Sequence, residues 1–394
     1  MSRKELSFDT GTHLSTGFLY SPQKKKGGRC NCIFSLADGT KSKKNKEEKK
    51  MVRKIFGKKV ILAGLLLSFM VTGCSNGPQK TGSSNDAAGD KVYKVGVTQF
   101  VAHPALDLDQ AGFLAQMKEE GFVEGKNVSF DIKNSQGDPN LAKTIADKFT
   151  ADKVDVILAI TTPSSQAAAQ ATKGSGIPVV FIAVSDGVGA GLMREIGQAT
   201  GTNITGVYSA DPVEQQMDLI REIQPSARRL GIIYNAGEAN SVSNVQRIKT
   251  YLQGKMEIVE ATAASSNEVQ LVAQSLAGRV DAVFMPQDNT VMSAVDALIR
   301  VCQEQDLPLY TGDTESVKKG ALATLGNDEY DCGRQGAVLV ARILRGEEAG
   351  TIVPEEIRKR TLLINQGAAE KYGITIPQAV LERADEVIEQ GIYK

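Results

Sequence analysis

Residues 154–160 read VDVILAI and residues 280–285 read VDAVFM. Each is an apolar run broken only by its early Asp. Each leads into a Pro-containing turn and then a stretch of helical period, Ser164–Lys173 in the first case and Thr290–Gln303 in the second. A strand that is apolar on both sides belongs to a parallel sheet covered on both faces. A strand, a helix and a further parallel strand form a right-handed crossover unit. The echo continues, because IPV at 177–179 matches LPL at 307–309.

Outward from these two stretches, the same alternation fills the chain from Lys91. In the first series the pattern predicts strands at 92–98, 128–133, 154–160 and 178–183, with helices at 105–120, 140–151 and 164–173. In the second it predicts strands at 230–234, 256–261, 282–285 and 309–311, with helices at 241–252, 267–276 and 290–303. The expected fold class is α/β, with two Rossmann-like lobes whose parallel sheets face each other. In open sheets of this kind ligands bind beyond the carboxyl ends of the strands.

The amino-terminal 90 residues read as address and tether. MVRKIFGKKVILAGLLLSFMVTGC at 51–74 places four cations before a short apolar run that ends at Cys74. That order is a bacterial secretory signal, and VTGC resembles a lipobox with Cys74 as the lipidation site. The expectation is a signal peptide over 51–73, a flexible tether over 74–90, and a misassigned leader over 1–50 with Met51 as the start. The full chain has 46 Lys+Arg and 46 Asp+Glu, of which residues 1–73 hold 16 and 5, leaving a net charge of −11 in 74–394. An acidic body speaks against binding nucleic acid. Trp is absent and aromatics are 5%, so no aromatic stacking platform is expected either.

No nucleophile motif, P-loop or metal-ligand spacing occurs. Cys302 and Cys332 sit in apolar helical patterns and read as small buried thiols. No catalytic residue, cofactor or metal is expected. The candidate chemistry lies in the loops after the strands. Gln99 and His103 follow the first strand. Thr161, Thr162 and Ser164 follow the third, where Pro163 opens a helix whose free backbone N–H groups favour an anion. Ser185 and Asp186 follow the fourth. In the second series the loops carry Asn235, Asn240, Asp288, Asn289 and Asp313. One lobe thus offers hydroxyls and amides and the other carboxylates, a split that suits a zwitterion. Each residue alone reads equally as a turn or helix cap.

HPALD (103–107), ITTPSSQA (160–167), IPVVFIAVSDGVGAGL (177–192), NITGV (203–207), IIYNAGEANSV (232–242), VDAVFMPQDNTV (280–291) and GDTESVKKGALATLGNDEYDCGRQ (312–335) together resemble the tryptophan/tyrosine-binding lipoproteins of ABC importers. The likeness spans about 92–385 and departs from the family at Gly187 and Cys332. It implies type I periplasmic-binding-protein architecture with a multi-strand hinge crossing near 205–209, 323–327 and 346–354. The implied lobes are 91–206 with 326–348, and 207–325 with 349–394. It adds Tyr330 at the cleft mouth, and it makes Phe100, Tyr208 and Phe284 candidates for an apolar ligand face; each also reads as sheet–helix core, the preferred reading for Phe284.

The function implied is a lipid-anchored, monomeric receptor on the outer face of the cell membrane. It would capture an amino acid and pass it to an ABC permease with its ATPase subunits, touching the membrane only through its lipid. The rivals are a sugar, nucleobase or peptide receptor of the same fold, a ligand-sensing regulator, and an enzyme.

Overall fold

Tyr93–Gln99 (β1) lies between Val128–Asn134 (β2) and Val156–Ile160 (β3), parallel to both, with Val97 opposite Ile132 on one side and Leu158 on the other. That register is the core of a six-stranded sheet in a computed structural model, which describes residues 91–389. The expected leader, signal, Cys74 and tether lie outside the described residues.

The first sheet runs Glu355–Glu356, Ile204–Tyr208 (β5), Val179–Val184 (β4), β3, β1, β2, all parallel. Both of its faces are covered. Along β3, Val156, Leu158 and Ile160 enter one apolar cluster while Ile157 and Ala159 enter another. This is the period-2 alternation of a strand buried on both sides. Helices Pro104–Glu119 (α1), Pro139–Ala151 (α2) and Thr162–Ala171 (α3) provide the crossovers. The fully buried rings of Phe113, Phe149 and Phe181 fill the gaps, each stabilising the fold by about 2–3 kcal/mol.

The second sheet has seven strands. Arg229–Tyr234 (β6), Glu257–Thr262 (β7), Ala282–Met285 (β8), Leu309–Thr311 (β9) and Ala323–Asn327 (β10) are parallel, and Arg360–Asn365 pairs antiparallel with β10. Glu386–Ile388 closes its edge. Leu230, Ile232 and Phe284 face one cluster, and Ile233, Val283 and Met285 the other. The helices are Val213–Ile223 (α4), Ala239–Leu252 (α5), Val269–Gln274 (α6), Asn289–Met292 (α7), Val295–Glu304 (α8) and Thr314–Lys319 (α9). The helix expected over 290–303 is broken into α7 and α8 around Ser293 and Ala294. Asp288 is the N-cap of α7.

Glu329–Leu344 (α10) leaves the second sheet and packs on α1 in the first. The lobe limits differ from the sequence expectation in three places. Val207 and Tyr208 belong to the first sheet. Gly326 and Asn327 end a strand of the second sheet. Residues 349–357 stay with the first lobe, where Ala349, Ile352 and Ile357 join its core and Thr205 Oγ1 donates to the Ile352 carbonyl at 3.0 Å. The last crossing therefore falls after 357, not at 346–354. Among the described residues no helix is long and apolar enough to cross a membrane.

Candidate functional site

The strand ends of the two sheets meet around a small cavity with about 20 Å³ of free space, room for roughly one water. From the first lobe it is lined by His103, Ala105, Leu106, Thr161, Ala183 and Ser185. Gln287 and Asn289 reach it from the second lobe. Ser209 and Asp211, just after β5, and Asn327 and Glu329, at and just after the end of β10, also line it. No Lys or Arg lines it.

The first-lobe wall is built on strained backbone. Thr161 has φ 80° and ψ 164°, a region almost reserved for glycine and costly for a β-branched residue, about 1–3 kcal/mol. Ala183 has φ 53° at the point where the β4–β5 register shifts. Both outliers border the cavity. Thr161 holds the N-cap position of α3, yet no side chain caps the helix. Thr161 Oγ1, Thr162 Oγ1 and Ser164 Oγ are buried without a hydrogen-bond partner. A helix start with free donors and orphan hydroxyls is a cradle for an anion.

His103 caps α1 through Nδ1, which accepts from the Leu106 N–H at 3.5 Å. Its buried Nε2 has no hydrogen-bond partner. Burial pushes this imidazole down to about 4, against the pull of Asn289 and Asp107, so it is neutral at pH 7.

The acids of the cavity are Asp211 and Glu329. Asp211 Oδ2 accepts from Asn244 Nδ2 at 2.5 Å, and Oδ1 faces Asn327 Nδ2 at 3.5 Å. Burial raises it to about 6, although Ser185 and Asn244 bond to it. Glu329 Oε1 accepts from Gln287 Nε2 at 3.0 Å, a bond that joins the lobes, and Oε2 is buried without a partner. Burial raises Glu329 as well, with the charges of Asp211, Asp313 and Asp328 adding to it.

Of the residues singled out from sequence, His103, Thr161, Ser185 and Asn289 line the cavity. Thr162 and Ser164 are buried in the first turn of α3, next in sequence to Thr161, and do not line it. The others do different work. Gln99 Nε2 donates to Asp107 Oδ1 and to the Val101 carbonyl, which shapes the first loop. Asp186 Oδ2 accepts from Ser243 Oγ at 2.8 Å, bridging to α5 in the second lobe. Asn235 binds Thr290 Oγ1 and the Gly237 N–H. Asn240 Nδ2 holds the Gln287 carbonyl, with Oδ1 left free.

Asp288 is fully used. Oδ1 accepts from the Val291 N–H at 2.8 Å, and Oδ2 accepts from the Asn235 N–H and Ser241 Oγ at 2.6 Å each. Asp313 caps α9 through Oδ1, and its buried Oδ2 has no partner. It does not line the cavity. Tyr330, 39% exposed, does not line the cavity; it borders an outer depression with Leu108, Thr314 and Lys359 that shares Glu329 with it. Phe100 borders an outer crevice of about 810 Å³ between the lobes. Tyr208 and Phe284 are core. Ser209, Asp211, Gln287, Asn327 and Glu329 were not singled out. Four of the five stand at the end of β5 or β10 or within three residues beyond it, and that position is the signal that points to them.

Residues 94–388 match the ABC transporter substrate binding protein family. A tyrosine-binding protein of Clostridioides difficile is 34% identical over 310 residues, covering 78% of this chain and 89% of that one. A solved ABC domain from Streptococcus pneumonia in complex with L-Trp is 32% identical, covers 76% of this chain and all of its own, and superposes with a TM-score of 0.72. A ligand-free, open substrate-binding protein with adhesive properties from Clostridium difficile is 33% identical over 76% of this chain and all of its own, with a TM-score of 0.57. With its two facing α/β lobes and the cavity between them, this chain belongs to the substrate-binding proteins of ABC transporters, which are binding proteins and not enzymes.

Proposed function

We propose that the protein captures a zwitterionic amino acid with an aromatic side chain between its lobes, outside the cytoplasmic membrane. Lipid on Cys74 anchors it there, and it delivers the solute to an ABC permease. One observation carries the reading. The uncapped start of α3, with three orphan hydroxyls of which Thr161 lies at the wall, stands on one side of a cavity that has Asp211 and Glu329 as its acids and no cation. A carboxylate fits the first, and an ammonium group fits the second.

The relatives that are named for tyrosine or solved with L-Trp support an aromatic solute. At almost equal identity, the chain superposes better on the Trp-bound domain than on the open one. This agrees with the shut cleft. A cavity this tight takes a solute only if the lobes part, so affinity depends on how much better the closed state holds it. The outer crevice with Phe100 on its rim is the route by which a ring enters.

Calorimetric titration of the purified protein with tryptophan and tyrosine tests the ligand class. Micromolar binding, about −8 kcal/mol, is expected for at least one. Because the chain has no Trp, added tryptophan can be followed by its own fluorescence. No heat with either solute removes the aromatic reading. Mass spectrometry of membrane-extracted protein for a lipidated Cys74, lost in Cys74→Ala, tests the anchor.

A further inference from the structure

Helices α1 and α10 meet backbone to backbone. A Cβ on Gly112 would strike the carbonyl of Tyr330, and one on Gly333 would strike the carbonyl of Asp109. This close approach presses Asp109, one turn ahead of Gly112, against the first turn of α10. Asp109 is completely buried, and neither of its carboxylate oxygens has a hydrogen-bond partner. One oxygen of Asp109, one of Glu329 and the Cys332 sulfur all lie within 4.8 Å of one another.

The other groups facing this pair are acidic or neutral. Asp328 sits beside it on α10, Asp211 and Asp313 face Glu329, and the Cys332 thiol faces Asp109. Lys359 is bound to Asp328 on the outside. Two dry carboxylates this close do not both stay charged without a cation. One proton resolves the arrangement. Glu329 has its free oxygen, Oε2, buried and unpartnered, and the donor beside Asp109 is the Cys332 thiol, too weak a donor to hold a buried charge by itself.

We propose that Asp109 is a positioning residue of the ligand cavity: it stays neutral, donates a hydrogen bond to Glu329 Oε2, and so steadies the charged form that Glu329 takes when it gives up its proton to meet the solute's ammonium group. This rests on the zwitterion reading above. Burial raises Asp109 well above the usual carboxylate range, the same sense as the geometry.

Tryptophan and tyrosine affinities measured from pH 5 to 8.5 on the purified protein, Asp109→Asn and Asp109→Leu test it. Asparagine keeps a donor, so the pH at which binding weakens on the acid side stays where it was. Leucine removes the donor, so that limb moves up by about one pH unit, about a tenfold loss of affinity near the limb. A downward shift in both variants means that Asp109 carried a charge, and no shift in either means that it does not act on Glu329. Either result overturns the proposal.

If the leucine variant does not fold, infrared spectroscopy decides. A protonated-carboxyl band is expected in the parent, absent in Asp109→Asn and displaced in Glu329→Gln. A parent without that band, or a band indifferent to Glu329→Gln, overturns the proposal. If the parent binds neither amino acid at any pH, the zwitterion reading fails by itself, and the infrared result still reports on the proton.

Discussion

The turn after Ile160 and the turn after Met285 look alike in sequence, with a Pro, hydroxyl or amide side chains and a helix start. In the fold they are opposites. At the second, Asp288 accepts three hydrogen bonds and caps α7, and Glu238 accepts from the backbone and side chains of both Asn289 and Thr290. At the first, Thr161 is strained, α3 is uncapped and the hydroxyls are unpartnered. A strand-end polar group that is satisfied internally builds the fold. One left unsatisfied while buried costs stability, and a ligand can repay that cost.

The sharpest way to break this contrast is Asp288→Ala. It leaves three donors without their acceptor and should lower unfolding stability by about 3 kcal/mol in a denaturant titration, while the fraction that folds keeps its affinity. Glu329→Gln or Asp211→Asn should do the reverse. Tryptophan affinity by calorimetry falls roughly 10–100-fold, the worth of a charge-assisted hydrogen bond, with no loss of melting temperature. If Asp288→Ala abolishes binding in protein that remains folded, the division between the turns is wrong.

The acids also predict a pH dependence. Asp211 is raised to about 6 from 3.8, so the folded state holds a proton that the unfolded chain has lost. Its stabilising contribution is complete below about pH 4 and disappears as pH rises through about 6. Glu329 acts in the same sense. An ammonium ligand favours both charged forms, so binding should tighten by up to about tenfold per pH unit and release protons as pH rises through the two windows, up to about 6 for Asp211 and up to about 8 for Glu329. Calorimetry in buffers of different ionisation enthalpy checks this. His103, lowered to about 4 from 6.5, works the other way. Its contribution is complete above pH 6.5 and is lost as pH falls through about 4.

Thr161→Gly should raise stability by about 1 kcal/mol through relief of backbone strain, yet weaken the ligand severalfold. A stability gain without an affinity loss would mean that the orphan hydroxyl has no role. Ser243→Ala removes the bridge to Asp186 and should weaken binding about threefold, the value of one modest hydrogen bond, with a faster off-rate in stopped flow.

Most of the architecture was legible because it depends on period. The runs at 154–160 and 280–285 show their two-sided burial directly in composition. The helix over 290–303 was misread because its apolar positions continue through Ser293 and Ala294, where only the cap geometry shows the break. The site was legible on the first lobe, where hydroxyls cluster after a strand. On the second, Asn289 lines the cavity and Asp288 and Asp313 do not, because an Asp has the same letter whether it faces a solute or a helix N-terminus. Asp211 and Glu329 escaped notice because they stand at the hinge, and only the three-dimensional return of the chain brings them beside Thr161.

The tight seam at Gly112 and Gly333 also has a mechanical meaning. Glu329 arrives from the second sheet by sequence, but through that seam it travels with the first. Gln287 belongs to the opposite half. Whenever the halves swing apart, the grip of Gln287 on Glu329 breaks along with the Ser243–Asp186 bridge, and Glu329 is wetted from that side. A solute entering the gap therefore meets a hydrated acid first and competes with water for it, and only the return of Gln287 dries the encounter and fixes the visitor in place.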